Sequence, residues 1–273
     1  IKDVNIIDNY HLEAYGEPAI SYNRDTQIFP VIRRIIENIT NEPAFYQSPT
    51  DMGVNRLASA ITDDQVVREA ANQEIIRRSF DIENLHKKGQ IDDESLHRMH
   101  FIMEENNLSQ EDRPSVLAAR KYSESLKERF DCEEIQAAIA IELADGKIIT
   151  GRTGDLMDAS AAAIVNSLKY FAGIADSIDL LSPNILETIR NLKQDSLQSR
   201  ITTLTANEVL IALAISAVTN PMAKVAYDKI AKLNHGQAHS TIILPSESMQ
   251  TLRRLGMDVT NDPVYEASHY FIQ

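Results

Sequence analysis

The stretch that decides the fold covers residues 134–172 and reads EIQAAIAIELADGKIITGRTGDLMDASAAAIVNSLKYFA. Two β-rich runs, residues 135–141 and 147–151, flank the turn Ala144-Asp145-Gly146. An Asp-Gly pair between such runs predicts a hairpin, because glycine supplies the positive φ that the tight turn requires. Asp158 then precedes an alanine-rich run and predicts a helix that it caps. We therefore predict strand, turn, strand and helix, on which the C-terminal half packs.

Strand and helix patterns continue to alternate after this stretch. Short apolar runs predict three further strands, at residues 178–181, 240–244 and 257–260. Ser-Pro, capping-box, Asn-Pro and serine signals predict four helices that begin near Pro183, Ala206, Pro221 and Ser246. The helix that contains residues 209–218 is apolar on nearly every side, so we expect it in the interior. Strands alternating with helices predict a three-layer α/β subdomain at residues 131–273.

The chain before this subdomain carries helix patterns. Residues 1–25 contain few periodic apolar positions and predict an extended segment. Residues 26–130 place apolar side chains at spacings of three and four, interrupted by breakers such as Gly89, and predict a helical subdomain. The predicted fold class is therefore α+β: an extended segment at 1–25, a helical subdomain at 26–130 and the α/β subdomain at 131–273.

The overall charge bears on the class of partner. The formal net charge is −13 over 273 residues. A surface of this sign repels phosphate backbones and anionic lipid, which argues against a nucleic-acid or membrane partner. A small anion is still compatible with this field, because a local pair of arginines overrides it.

The cysteine count and the hydropathy predict a cytoplasmic protein. Cys132 is the one cysteine, which excludes an internal disulfide framework and fits a reducing compartment. The most apolar stretch, residues 209–218, is about half of the ~20 residues that a membrane span requires. No secretory signal pattern opens the chain. The chain begins with Ile1 rather than methionine, and we expect it to be part of a longer protein.

The predicted order of elements resembles the cytidine-deaminase fold. In that fold a zinc ligand and a glutamate begin the first helix, and Pro-Cys-x-x-Cys begins the second. This chain has Asp158-Ala159-Ser160 at the first place and Pro183 at the second, with Asn184 and Glu187 where the cysteines would be. Zinc prefers thiolate and imidazole ligands, so we reject zinc deamination and predict no metal. The scaffold likeness alone is retained, because fold does not carry function.

Two polar segments are the sharpest candidates for a site. Tyr22-Asn23-Arg24-Asp25 precedes one predicted helix, and residues 46–55 precede another. Helix N-termini with free N–H groups and hydroxyls suit an anion such as phosphate. The predicted substrate-binding residues are Asn23, Arg24, Asp25, Ser48, Thr50 and Asn55. Asp51 is the catalytic candidate, as a base or a magnesium ligand.

Ordinary helix capping is the alternative interpretation of both segments. Asp25, and either Thr50 or Asp51, would then satisfy the helix ends and do nothing more. Capping is the more common role of such residues. The sequence assigns no role to four further polar residues: His11, Arg77, Arg78 and His239.

A resemblance to a known family runs along nearly the whole chain. The strings that carry it are Asp3-Val4-Asn5, His11-Leu12-Glu13-Ala14-Tyr15-Gly16, Tyr22-Asn23-Arg24-Asp25, Ser48-Pro49-Thr50-Asp51-Met52-Gly53-Val54-Asn55, Gln73-Glu74-Ile75-Ile76-Arg77-Arg78, Glu208-Val209-Leu210-Ile211-Ala212-Leu213 and Ala238-His239-Ser240-Thr241. The chain resembles the carboxy-terminal part of a bacterial family, uncharacterised protein family three hundred seventy-one (domain of unknown function eighteen forty-six). Strings of this length are specific, but the family supplies no established activity.

The resemblance implies a longer protein and a candidate cofactor. Members of the family carry a preceding half with a Gly-Ser-Gly-Lys loop that resembles a phosphate-binding loop, and this chain lacks that half. A nucleotide with Mg²⁺, bound mainly by that half, is the implied cofactor, and the residues of this chain identify none themselves.

Two function classes stay open, and the first is favoured. The chain is either the substrate side of a cleft in a cytoplasmic nucleotide- or phosphate-handling enzyme, with a phosphorylated small molecule as its partner, or a non-catalytic binding and oligomerisation module. The apolar residues 209–218 and the hairpin edge predict a homo-oligomer, since closed symmetry hides such surfaces.

Overall fold

The computed structural model describes residues 38–39, 64–130, 137–199 and 201–265, and for residues 64–71 the backbone alone. The chain forms two compact units, Ile1–Arg113 and Pro114–Gln273. The predicted extended segment at residues 1–25 lies outside the described residues.

The described part of the first unit is helical. Helix α1 (Asp64–Lys87) and helix α2 (Asp93–Glu105) pack against each other, and a 3₁₀ turn (Gln110–Asp112) follows. Gly89 adopts a φ of 68° after α1, and the Asp92 side chain caps α2 by accepting a bond from the Ser95 N–H at 2.9 Å. Buried side chains of this unit include Ile75, Ile76, Phe80, Met99 and Ile102.

The second unit is built on a four-stranded mixed sheet. Its strands are β1 (Ala138–Glu142), β2 (Ile148–Arg152), β3 (Gln237–Ser240) and β4 (Asp258–Asn261), in the order β2-β1-β3-β4. β1 pairs antiparallel with both β2 and β3, and β3 pairs parallel with β4. Gly146, with a φ of 80°, closes the β1–β2 turn, which confirms the predicted hairpin.

Helices cover both faces of the sheet. Ile139 and Ile141 of β1 join the core cluster that helix α4 (Ala159–Ala172) completes. Ala138 and Ala140 alternate with them, are fully buried and face the other side, against helix α3 (Pro114–Phe130). This burial on both faces explains why β1 is a continuous apolar run.

Four shorter helices complete the second unit. They are α5 (Pro183–Asn191), which runs into a π-helical turn (Leu192–Ser196), α6 (Ala206–Ser216), α7 (Pro221–Tyr227), which a 3₁₀ turn (Ile230–Leu233) follows, and α8 (Ser246–Arg254). The predicted capping box is present at α6, where Thr205 and Glu208 satisfy each other's N–H groups. A mixed α/β fold is confirmed.

Two of the predicted strands differ from the structure: one is not a strand, and the other lies earlier in the chain than predicted. Residues 178–181 form no strand; the N–H of Ile178 closes a turn on the carbonyl of Ala175, while Leu180 and Leu181 are buried in the core. A short apolar run therefore signalled burial rather than extended pairing. The strand predicted at 240–244 is β3, which the prediction overlaps only at Ser240.

Helix α3 lies in the second unit, whereas the sequence interpretation grouped it with the helices before it. This helix packs against β1 and β3, and its buried side chains include Val116, Ala119 and Leu126. The predicted boundaries at residues 25 and 130 stay a prediction.

Helix α6 is not interior, contrary to the expectation from its composition. Val209, Ala212 and Leu213 are buried, but Ile211 and Ile215 are each 51% exposed. Tertiary packing covers one face of this helix only. Among the described ranges, no helix combines the length and the apolarity that crossing a bilayer requires.

Candidate functional site

The predicted site residues lie outside the described residues. These residues are Asn23, Arg24, Asp25, Ser48, Thr50, Asp51 and Asn55; His11, to which the sequence assigns no role, also lies outside the described residues. Their proposed convergence on one anion therefore stays a prediction. The described residues of the second unit offer a different candidate, a lined cavity.

This cavity lies between helices α4 and α5 and has a volume of about 490 Å³. The strand-like segments before α4 and α6 form its third wall, because Met157 and Leu204 make an isolated parallel bridge there. The N–H of Leu204 donates to the carbonyl of Leu156, and the N–H of Asp158 donates to that of Leu204, both at 2.9 Å. We call it the α4–α5 cavity.

The lining of the α4–α5 cavity divides into apolar and polar side chains. The apolar residues are Leu156, Met157, Ala162, Val165, Leu180, Leu181, Pro183, Leu186 and Leu204. The polar residues are Asp155, Asn166, Lys169, Asp179, Glu187, Arg190 and Thr202. Ligand pockets usually combine an apolar lining with a few polar groups that orient the ligand. The cavity therefore has the size and the chemistry of a small-molecule site.

Lys169 is the most buried ionisable group of this lining, with 8% of the residue exposed. Its Nζ atom donates to the carbonyl of Asp176 at 2.8 Å, in the loop that follows α4. An ammonium group has three donors, so this bond uses one of them. No described carboxylate lies within 4.0 Å of Nζ.

Lys193 is buried to the same extent, but a carboxylate offsets the charge of its ammonium group. Its Nζ atom lies 2.8 Å from Oε2 of Glu208 and donates to the carbonyl of Thr203 at 2.7 Å. Burying an ammonium group is costly unless a counter-charge offsets it. The contrast marks Lys169 as a group that an external anion would complete.

A second cavity of about 580 Å³ adjoins the first. Asn166 and Lys169 line both cavities. The other residues of the second lining come from β2 with the turn before it and from the C-terminal end of α4 with the loop that follows: Lys147, Ile148, Ile149, Thr150, Tyr170, Gly173, Ile174, Ala175 and Asp176. Asn166 is fixed between them, because its Nδ2 donates to the carbonyl of Thr150 at 2.9 Å.

Asp158 begins α4 beside the α4–α5 cavity. Its Oδ1 accepts bonds from the N–H of Ala161 at 2.8 Å and the hydroxyl of Ser160 at 2.6 Å, and its Oδ2 accepts one from Ser248 at 3.2 Å. Burial raises the pKa of Asp158, and these hydrogen bonds oppose the rise only in part. The residue caps the helix, as predicted, and ties it to α8.

A buried polar network joins α3 to the ends of β3 and β4. His239 is fully buried; its Nδ1 lies 2.9 Å from Oγ1 of Thr260, and its Nε2 lies 3.4 Å from Oδ1 of Asp262. Arg120 reaches the same carboxylate, with Nη2 at 2.6 Å from Oδ1 and Nε at 3.3 Å from Oδ2. His239 and Thr260 are buried and Arg120 and Asp262 are partly exposed, and together these side chains tie α3 to the ends of the two strands.

The described residues do not form a metal site. No group of three or more His, Cys, Asp or Glu side chains in this part of the chain could hold a metal ion. Asn184 and Glu187, which stand where the deaminase fold has its cysteines, are exposed at the start of α5.

The sheet, its two helical layers and the cavity define the second unit as a mixed α/β scaffold with room for one small molecule. Two matches give the family: domain of unknown function DUF1846, N-terminal, over residues 1–107, and DUF1846, C-terminal, over residues 111–271. The chain belongs to this uncharacterised bacterial family of UPF0371 proteins, which confirms the predicted family. The N-terminal and the C-terminal DUF1846 models both match parts of the chain.

Relatives with this family name are similar over almost the entire chain. The UPF0371 protein of Clostridium tetani (strain Massachusetts / E88) is 52% identical over 99% of the chain, and that of Clostridium botulinum (strain ATCC 19397 / Type A) is 54% identical over 97%. A UPF0371 protein of Clostridioides difficile (strain 630) is 51% identical over 99%. The chain spans about half the length of these relatives: 54%, 53% and 54%.

Sequence reasoning missed Lys169 and the cavity that it lines. The lysine stands in the last turn of a helix, where a cation normally offsets the helix dipole. Its Nζ atom bonds to the loop at residues 173–181, part of which the apolar pattern predicts to be a strand. A lysine at an apolar position of the α4 pattern was the available signal.

Proposed function

We propose that this chain supplies the substrate side of a cleft in a cytoplasmic enzyme that handles a small acidic or phosphorylated molecule. The observation that carries the proposal is the α4–α5 cavity, with its apolar lining and buried Lys169. Its volume of about 490 Å³ falls within the range of small-molecule pockets. The single cysteine, Cys132, supports the reducing compartment.

The nucleotide belongs to a different part of the proposed enzyme. The family resemblance assigns a nucleotide with Mg²⁺ to the preceding half of the longer protein. The cavity would then hold the second substrate. Asp51 and the polar segments around Arg24 and Thr50 stay candidates for the catalytic groups.

A deaminase-like scaffold is part of this proposal. The order hairpin, α4, Ser182-Pro183 and α5 supports it, as does a cavity lined by the same two helices. Asn184 and Glu187 are poor zinc ligands, so the proposal takes the scaffold without the deaminase chemistry.

The proposal is tested by ligand-induced stabilisation. The melting temperature of the full-length protein is measured with AMP, glucose 6-phosphate and succinate, because a ligand that binds only the folded state raises it. Leu186→Trp fills the α4–α5 cavity and should abolish the rise. Leu197→Trp places the same side chain at an exposed position outside the cavity lining and should leave the rise intact. A rise that Leu186→Trp does not alter would refute the cavity as the site.

Self-association is the second candidate, and an exposed apolar surface supports it. Ile211 and Ile215 on α6, Val218 after it, and Met222 and Val225 on α7 are exposed by 51, 51, 82, 47 and 43%. We call these five residues the α6–α7 surface. Apolar patches of this kind often mark interaction sites. The proposed occupant is a second copy of the chain, because a two-fold axis lets one aliphatic surface cover itself.

A further inference from the structure

The α4–α5 cavity carries charges of both signs, at different depths. Asp155, Asp179 and Glu187 are exposed lining residues, whereas Lys169 is nearly buried. None of these three carboxylates makes a hydrogen bond or an ion pair within the described residues. The exposed Arg190 lines the same cavity, so the rim carries three carboxylates and one guanidinium, and its net charge is negative.

This distribution of charge disfavours a simple polyanion. Carboxylates at the rim repel a ligand that carries only negative charge, and the repulsion strengthens where the cavity excludes water. A ligand that also carries a positive group is attracted to the carboxylates of the rim, as its anionic group is attracted to Lys169. Charge-assisted hydrogen bonds at both ends would fix its orientation.

We infer that the α4–α5 cavity binds a zwitterion with an apolar body, of the amino-acid class. The carboxylate of the ligand lies against the Nζ atom of Lys169 and supplies the counter-charge that this lysine lacks. Its ammonium group lies at the rim, near Glu187, and its side chain contacts apolar lining residues such as Val165 and Leu186. This inference rests on the proposed function, since it names the substrate class of the same cavity.

The test uses the twenty standard amino acids as probes of the full-length protein. Each is added at saturating concentration, and the melting temperature is measured. For the amino acid with the largest effect, calorimetry compares the deaminated acid and the decarboxylated amine. Loss of one charge-assisted contact should weaken binding by roughly ten- to a hundredfold, so both analogues should bind more weakly than the amino acid.

Two variants assign the charges to residues. Lys169→Met should weaken binding of the amino acid by roughly ten- to a hundredfold. It should leave the affinity for the amine analogue unchanged, because the amine makes no contact with Nζ. Glu187→Gln should weaken binding of the amino acid and leave the affinity for the acid analogue unchanged. Lys147→Met, on the exposed part of the second cavity, should change neither. Lys193→Met, which breaks a structural ion pair, should lower the melting temperature without changing the analogue preference.

Two results with the wild-type protein would overturn the inference. One is that none of the twenty amino acids raises the melting temperature; the other is that the acid analogue binds as tightly as the amino acid. If succinate or a phosphate ester still binds and Leu186→Trp abolishes it, the proposed function stands and only the zwitterion is wrong. Unchanged affinity in Lys169→Met would also overturn the inference, because the lysine would then only anchor the loop at Asp176.

Discussion

Arg120 and Asp262, 142 residues apart in the chain, meet with 2.6 Å between Nη2 and Oδ1. The pair joins helix α3 to the residue that follows β4, and His239 contacts the same carboxylate. Burial alone would raise the pKa of Asp262, but the hydrogen bonds and positive charges of His239 and Arg120 outweigh it and lower the pKa below 3.8. The carboxylate form therefore stabilises the second unit.

The first prediction concerns the pH dependence of this pair. A depressed pKa contributes stability above the pKa of the unfolded chain, and the contribution is lost as pH falls through the folded-state pKa. Asp262→Asn should lower the free energy of unfolding by about 1–3 kcal/mol near neutral pH, and the difference from wild type should shrink below about pH 4. Urea unfolding of both proteins at a series of pH values from about 7 down to about 3 measures this difference.

Asp228→Asn is the matched control, because Asp228 pairs with Lys224 on an exposed helix surface. Such pairs contribute about 0–1 kcal/mol, so the control should differ little from wild type at any pH. A loss at Asp262→Asn that stays constant down to pH 3 would contradict the depressed pKa.

The second prediction has the opposite sign and concerns Asp158. Its pKa is raised by burial, so the folded state binds a proton more readily than the unfolded chain does. The wild type should therefore gain stability relative to Asp158→Asn as pH falls from about 6 towards 4, because asparagine caps the helix without titrating. Asp158→Ala should cost about 1–2 kcal/mol at neutral pH, since it removes the cap. Parallel pH profiles for wild type and Asp158→Asn would count against this account.

The third prediction concerns the packing of β2 on α4 at Gly151. A Cβ atom there would meet the backbone N of Ala163 and would lie 2.6 Å from the carbonyl oxygen of Ala159. Backbone atoms of a packed helix cannot move aside cheaply, so Gly151→Ala should destabilise the protein by about 2–4 kcal/mol. Thermal unfolding provides the measurement.

Gly154→Ala is the control for that substitution, because the nearest atom to its Cβ, on the flexible Arg152 side chain, is 3.9 Å away. It should be neutral or stabilise the protein by up to about 1 kcal/mol, through the lower entropy of the unfolded chain. Equal effects of the two substitutions would show that the close approach is relaxed in solution.

The fourth prediction concerns the α6–α7 surface. If a second copy covers it, the full-length protein is a dimer at micromolar concentration, and Ile215→Asp at its centre makes it a monomer. A buried charge without a partner is costly enough to break such an interface. Light scattering after size-exclusion chromatography gives the mass. Leu197→Asp, at an exposed apolar position outside this surface, should leave the mass unchanged. A wild-type monomer would refute the dimer.

Features encoded in a few adjacent residues could be predicted from the sequence. Asp145-Gly146 makes its turn, Asp158 caps α4 and Thr205 with Glu208 forms its capping box, because each depends on local backbone geometry. The mixed α/β fold follows from the same signals.

Features that depend on distant residues could not be predicted. Which face of α6 stays exposed depends on α4 and α7, so its composition could not distinguish Ile211 from Leu213. The role of Lys169 depends on a loop that folds back to present the carbonyl of Asp176. The α4–α5 cavity likewise needs the bridge between Met157 and Leu204, which are 47 residues apart in the chain.

The most direct test of the central claim is a structure of the full-length protein bound to the small molecule that most raises its melting temperature. We predict that the molecule occupies the α4–α5 cavity, with its anionic group within hydrogen-bond distance of the Nζ atom of Lys169. A ligand bound elsewhere, with this cavity empty, would contradict the account.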